Sequence, residues 1–161
     1  MRALTIWQPW ASLIAIGAKP YEFRGWDYSA RPGLASLVDT RIAIHAGARP
    51  VRPTEVRAIL DRISEGTSAL REDLALPLLE RILAAHSATQ RAVVPLSAVI
   101  ATAVLRRPIP VGVLFADVAD SDRFDHSKFA WPLDDVVRLD VPIPSRGAQG
   151  FWTCSDSGLR T

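Results

Sequence analysis

The stretch Ile6-Trp7-Gln8-Pro9-Trp10-Ala11, followed by Gly17-Ala18-Lys19-Pro20-Tyr21-Glu22-Phe23-Arg24, decides how the chain is read. Just upstream, Ala3-Leu4-Thr5-Ile6-Trp7 alternates in the manner of a strand. Pro9 suits a first helical turn and Gly17 a position just past a helix end, so residues 9–16 predict a short helix. From Tyr21 to Trp26 aromatic side chains alternate with others, which predicts a strand with two unlike faces. Tyr21 and Phe23 then point one way, Glu22 and Arg24 the other, and Lys19 stands in the turn leading in. Two cations flanking one carboxylate can hold a phosphate or a polar base edge while keeping the acid ionised. The same spacing also fits a solvated face with a surface ion pair of small worth. Spacing alone leaves both readings open.

Downstream of this stretch, a turn-rich segment around Ser29 to Gly33 leads to a strand over Arg41 to Ala46. The middle changes texture. Val56, Ile59, Leu60 and Ile63 fall on one helical face between Thr54 and Ser64. Leu74, Leu78, Leu79, Ile82 and Leu83 repeat the pattern between Leu70 and His86, where Pro77 must begin or kink a helix. Ala98 to Leu105 and Val111 to Val118 are β-branched and largely uncharged, which predicts two buried strands separated by Pro108 and Pro110. A last strand is expected near Val136 to Val141, before a proline- and glycine-bearing tail ending in Phe151-Trp152. Strands at both ends and helices between predict an α+β fold, a small barrel with helices on one side.

The chain has 161 residues, 48% of them hydrophobic and 22% charged, with a net charge of +2. This length suits one domain, at about 100–200 residues each, and the composition excludes a disordered chain. No apolar run approaches the roughly 18–20 residues that span a bilayer, and no signal-peptide pattern opens the chain, so a soluble cytoplasmic protein with no membrane contact is expected. A single cysteine, Cys154, forms no internal disulfide or cysteine-based metal site. Residues 1–60 carry eight basic and four acidic side chains, whereas residues 116–161 carry five and eight. A basic face built from the first part fits nucleic acid. Seventeen of the nineteen basic residues are arginines, which fits phosphate binding and biased genomic composition equally well. No phosphate-binding loop, dinucleotide fingerprint or Gly-x-Ser-x-Gly elbow is present. His45, His86 and His126 lie about forty residues apart without ligand spacing, so neither a metal site nor a cofactor is expected.

Taken together, the opening Ile6 to Ala11 block and Gly17-x-Lys19-x-x-Glu22-x-Arg24 resemble the start of the ASCH family, named for activating signal cointegrator-1 homology. The resemblance continues at Ile44-His45-Ala46, at Pro95 to Ala103, at Phe129 to Asp135 and at Arg146-Gly147-Ala148-Gln149-Gly150-Phe151-Trp152. It implies a PUA-like, mostly antiparallel β-barrel with flanking helices, a single domain over residues 1–161 with a helical insertion at about 54–86. It also implies RNA, single-stranded nucleic acid or a nucleotide as ligand. Gln8, Trp10, Lys19, Glu22, Arg24 and Arg146 would then line a basic cleft on the barrel. The alternative is a small hydrolase in which Lys19 and Glu22 are catalytic, either a ribonuclease or an amidohydrolase of modified nucleosides. The amidohydrolase pattern has a threonine where Glu22 stands and a later strand glutamate; no glutamate follows Glu80, and Asp117 is the one substitute.

Among the remaining residues, Trp7, Trp131 and Trp152 are expected in the core and Trp10 is the stacking candidate, while Trp26 fits either role. His45 is expected as a hydrogen-bonded core residue and His86 as a partner for a helix end. Arg106-Arg107 read as solvated, as do Asp117, Asp120, Asp122 and Asp125. Cys154 has no histidine beside it in sequence to activate it.

Overall fold

A computed structural model describes residues 1–85, 89–115 and 128–155. Among the described residues seven strands and five α-helices follow one another: β1 (Arg2–Ile6), α1 (Trp10–Ala15), β2 (Tyr21–Arg24), β3 (Thr40–Ala46), α2 (Pro53–Ser64), α3 (Glu72–Ala84), α4 (Gln90–Val93), β4 (Ala98–Leu105), β5 (Ile109–Pro110), α5 (Val111–Leu114), β6 (Phe129–Pro144) and β7 (Phe151–Thr153). The strands join in the order β2-β6-β4-β3-β1-β7, with β5 added on β6. Only the β1–β3 ladder is parallel among those described, from Ala3 opposite Ala43 to Ile6 opposite Ala46; the others are antiparallel. A parallel neighbour needs a crossover, and α1 with β2 supplies it. The sheet curls into a half-barrel with helices beside it, the expected α+β, PUA-like architecture.

The curl closes on side chains from distant strands. Trp131 of β6 stacks on Phe151 of β7 with centroids 5.7 Å apart and planes within 8°, and fully buried Tyr28 packs edge-on against both. Leu4, Ile42, Ile44, Ala101 and Leu105 fill the same interior. Strand β4 is buried along nearly all its length because β3 and β6 flank it. A second core lies beside the sheet, where Leu13 and Ala18 meet Val56, Ile59, Leu79 and Ile82 of α2 and α3. Pro53 opens α2 at a position where no amide bond is lost, and the Arg52 N–H donates to Glu55 Oε2 at 3.0 Å.

Two local expectations change and a third is narrowed. Pro77 lies inside α3 rather than at its start, where its ring is exposed and the carbonyl it deprives of a hydrogen bond belongs to exposed Asp73 in the first turn. Val111 to Val118 is not a strand over its described part. Val111–Leu114 forms one helical turn closed by Phe115 N–H to Val111 O at 2.9 Å, and Val113 is exposed. The last strand begins well before Val136, at Phe129, and Phe151–Thr153 forms a strand on β1. His86 and the acidic positions Asp117, Asp120, Asp122 and Asp125 lie outside the described residues.

Candidate functional site

The α1–β2 turn and β2 bring Lys19, Glu22 and Arg24 together. Lys19 Nζ stands 3.5 Å from Glu22 Oε2, and Arg24 Nη2 stands 2.9 Å from Glu22 Oε1, so one carboxylate joins both cations. Lys19 Nζ also donates to the Tyr21 carbonyl at 2.6 Å and sits 5.3 and 4.8 Å from the ring centroids of Trp10 and Phe23. The register explains the placement: Glu22 lies opposite Trp131 and Arg24 opposite Phe129, so β6 backs the ladder. Buried charges persist when paired and hydrogen-bonded, which is how Lys19 and Glu22 are held here.

The ladder is sealed at one end and open at the other. Lys19 is 1% exposed and Glu22 5%. The Arg24 side chain is 32% exposed, its guanidinium lies 5.9 Å from the Trp131 ring centroid, and its Nε–H finds no hydrogen-bond partner among the described residues. Solvent therefore meets the triplet through Arg24.

The other expected ligand residues take different places. Gln8 is fully buried. Its amide oxygen accepts from the Ser12 N–H at 3.0 Å and its amide nitrogen donates to Pro95 O at 2.8 Å, which fixes the start of α1 against the strand-entry loop of β4. Trp10 is half-buried and packs against both cores, with Lys19 over its ring. Arg146 is exposed in the tail before β7. A cavity of about 230 Å³ lies elsewhere, between α1, α3, α4 and β6, lined by Ser12, Leu78, Arg81, Ile100 and Arg138 among others. None of the six expected ligand residues lines it.

Tryptophan burial divides differently from expectation. Trp131 is fully buried, its indole N–H donating to Trp26 O at 3.1 Å, whereas Trp7 is 54% exposed. Trp7 is one residue past the end of β1, beyond the last ladder pair, and the cis Gln8–Pro9 peptide follows it. Trp26 is half-buried, edge-on to Trp131, with Arg31 3.9 Å above its ring.

His45 is the hydrogen-bonded core residue anticipated. The Trp152 indole N–H donates to Thr5 Oγ1 at 2.9 Å, and Thr5 Oγ1 lies 3.2 Å from His45 Nδ1. His45 Nε2 lies 3.0 Å from Ser145 O. The tautomer with Nε2–H satisfies all three contacts: it donates to Ser145 O while Nδ1 accepts from the threonine hydroxyl. Burial lowers the His45 pKa below its ordinary value, against a smaller upward pull from the Ser145 carbonyl. Burial likewise raises that of Tyr28, whose hydroxyl donates to Arg106 O at 2.7 Å. Cys154 is buried, with Sγ 3.4 Å from Met1 O. Among the described residues no group of His, Cys, Asp or Glu could hold a metal ion, and no helix is long and apolar enough to cross a membrane.

Sequence comparison is silent: no protein-family model matches the chain, and no curated protein matches it. A solved structure does. The crystal structure of ASCH from Zymomonas mobilis superposes with a TM-score of 0.50, covering 97% of this chain and 88% of that one. The fold is that of an ASCH domain. The two chains share 17% identity, so the likeness is one of backbone architecture. It agrees with the motif blocks at the level of the ASCH fold, and the side-chain arrangement above belongs to this chain's own geometry.

Proposed function

We propose that this ASCH-fold chain binds RNA or a nucleotide, with single-stranded nucleic acid as the extended form of the ligand. The observation that carries the reading is the Lys19–Glu22–Arg24 ladder, an assembly with one net positive charge whose arginine end meets solvent. Arginine suits phosphate because its planar donors match two oxygens at once. Buried Glu22 holds Arg24 in a fixed orientation, so less conformational entropy is lost on binding than with a free surface arginine. Exposed Arg146 supplies a second cation.

The expected ligand residues thus divide by task. Arg24 and Arg146 contact the anionic backbone; Lys19 and Glu22 position Arg24. Trp10 covers Lys19, and Gln8 anchors α1. The hydrolytic alternative needs Lys19 and Glu22 to touch the substrate, and both are shielded by packing. Binding without turnover is therefore the better-supported form.

Fluorescence-anisotropy titrations with labelled single-stranded RNA, single-stranded DNA and duplex, each followed by gel analysis of the recovered strand, test this. Binding of single strands that weakens in Arg24→Gln, with strands recovered intact, supports it. Absence of binding to every nucleic acid removes it, and shortened strands that vanish with Lys19→Ala replace it with catalysis.

A further inference from the structure

We propose that Trp7 is a base-stacking platform for single-stranded nucleic acid, set between Arg49 and the Arg146 loop on one rim of the half-barrel. The inference rests on the nucleic-acid reading above and adds a subsite that is separate from the ladder.

Tryptophan is among the largest contributors to core burial, so one left 54% exposed yet firmly held calls for a physical reason. Three contacts hold Trp7. Its carbonyl accepts from the Ala11 N–H at 3.1 Å. The indole edge rests on Gly47, where a Cβ would stand 3.0 Å from Trp7 Cδ1. The Arg49 guanidinium lies 4.3 Å from the ring centroid and is itself fixed by Glu55 Oε1 at 2.6 Å. An arginine on an indole is an arrangement in which both groups offer flat surfaces to a base.

The same rim carries the tail. Ser97 N–H donates to Gly47 O at 3.4 Å, and Ser145 N–H donates to Ser97 O at 2.9 Å, tying residue 145 to the loop that supports Trp7. Thr5 sits between the two glycines: its Cγ2 faces Gly47 and its Oγ1 faces Gly147, where a Cβ would stand 2.9 Å away. The Trp152–Thr5–His45–Ser145 network then fixes the residue before Arg146, and the close approach at Gly147 fixes the residue after it. The outcome is a rigid aromatic surface with one arginine on it, a second arginine on the adjoining loop, and one acid that is already engaged. That combination matches a stacked base with phosphates on either side, and it is tolerant of sequence because every base has a flat face.

The test uses the intact chain and a fluorescein-labelled eight-nucleotide oligouridylate, with Trp7→Ala, Trp7→Leu and Trp7→Phe. Thermal melting of each variant confirms folding. Stacking predicts that Ala and Leu weaken binding by about 5- to 150-fold, whereas Phe stays within a few-fold of the parent. The salt dependence should match the parent in all three, since no charge is removed. Parent binding with Leu equal to Phe overturns the stacking platform and leaves the nucleic-acid reading standing. A parent that binds no oligonucleotide overturns both. Normal oligonucleotide binding by all three variants, with a protein partner lost from each, assigns the rim to protein contact and overturns the inference.

Discussion

Gly147→Ala probes the clamp that carries Arg146. The new Cβ would lie 2.6 Å from His45 Nδ1 and 2.9 Å from Thr5 Oγ1, closer than such atoms approach. Neither neighbour yields easily, because His45 is 1% exposed and hydrogen-bonded on both ring nitrogens. Overpacking of this kind costs about 1–3 kcal/mol. With an unfolding entropy near 2.1 cal/mol/K per residue, a chain of this length loses roughly 3°C in Tm per kcal/mol, so the variant should melt about 3–9°C lower. Circular-dichroism melting reads the shift. The same substitution in a His45→Ala background should cost less, since the obstructing ring is gone and only the Thr5 hydroxyl remains in the way, leaving a coupling energy of about 1 kcal/mol. A shift under about 1°C in the parent, or an equal loss in both backgrounds, would refute the packing of the tail on His45.

Other consequences are more compact. His45 has a folded-state pKa below its unfolded value of about 6.5, so its contribution is complete above that pH and is lost as the pH falls through the folded value. Melting curves between about pH 7 and 5 should show a decline that is absent in His45→Gln, and parallel profiles would contradict the network. Tyr28→Phe strands the Arg106 carbonyl and should cost about 0.5–1.5 kcal/mol in urea unfolding. Leu79→Ala opens a cavity in the second core and should cost about 2–5 kcal/mol in the same assay; a loss below about 1 kcal/mol would show that the α2–α3 unit packs loosely.

How much was legible follows from where the governing signal resides. The pairing of Glu22 with Arg24 was readable because strand alternation puts residues two apart on one face, and Lys19 joins them through an adjacent turn. Their burial was not readable, since it depends on β6 arriving from more than a hundred residues away to back β2. The exposure of Trp7 and the partial burial of Trp10 have the same origin: one lies past the last pair of β1, the other packs against both cores. Val111 to Phe115 misled through β-branched composition, a preference that context overrides easily. Strand β6 was underestimated because Pro132, Pro142 and Pro144 lie within it and proline ordinarily argues against a long strand. Three-residue β7 is too short to show a period, and the buried amide of Gln8 left no signal beyond its place before Pro9.

Salt dependence of oligouridylate binding, measured on the intact chain beside Arg24→Ala, reads the phosphate contact at the open end of the ladder. Log K should fall linearly with log salt by about 0.7 per phosphate contacted, and removing Arg24 should flatten the slope by about that amount. Affinity indifferent to salt, or a slope unchanged by loss of Arg24, would contradict a phosphate contact at the open end of the ladder.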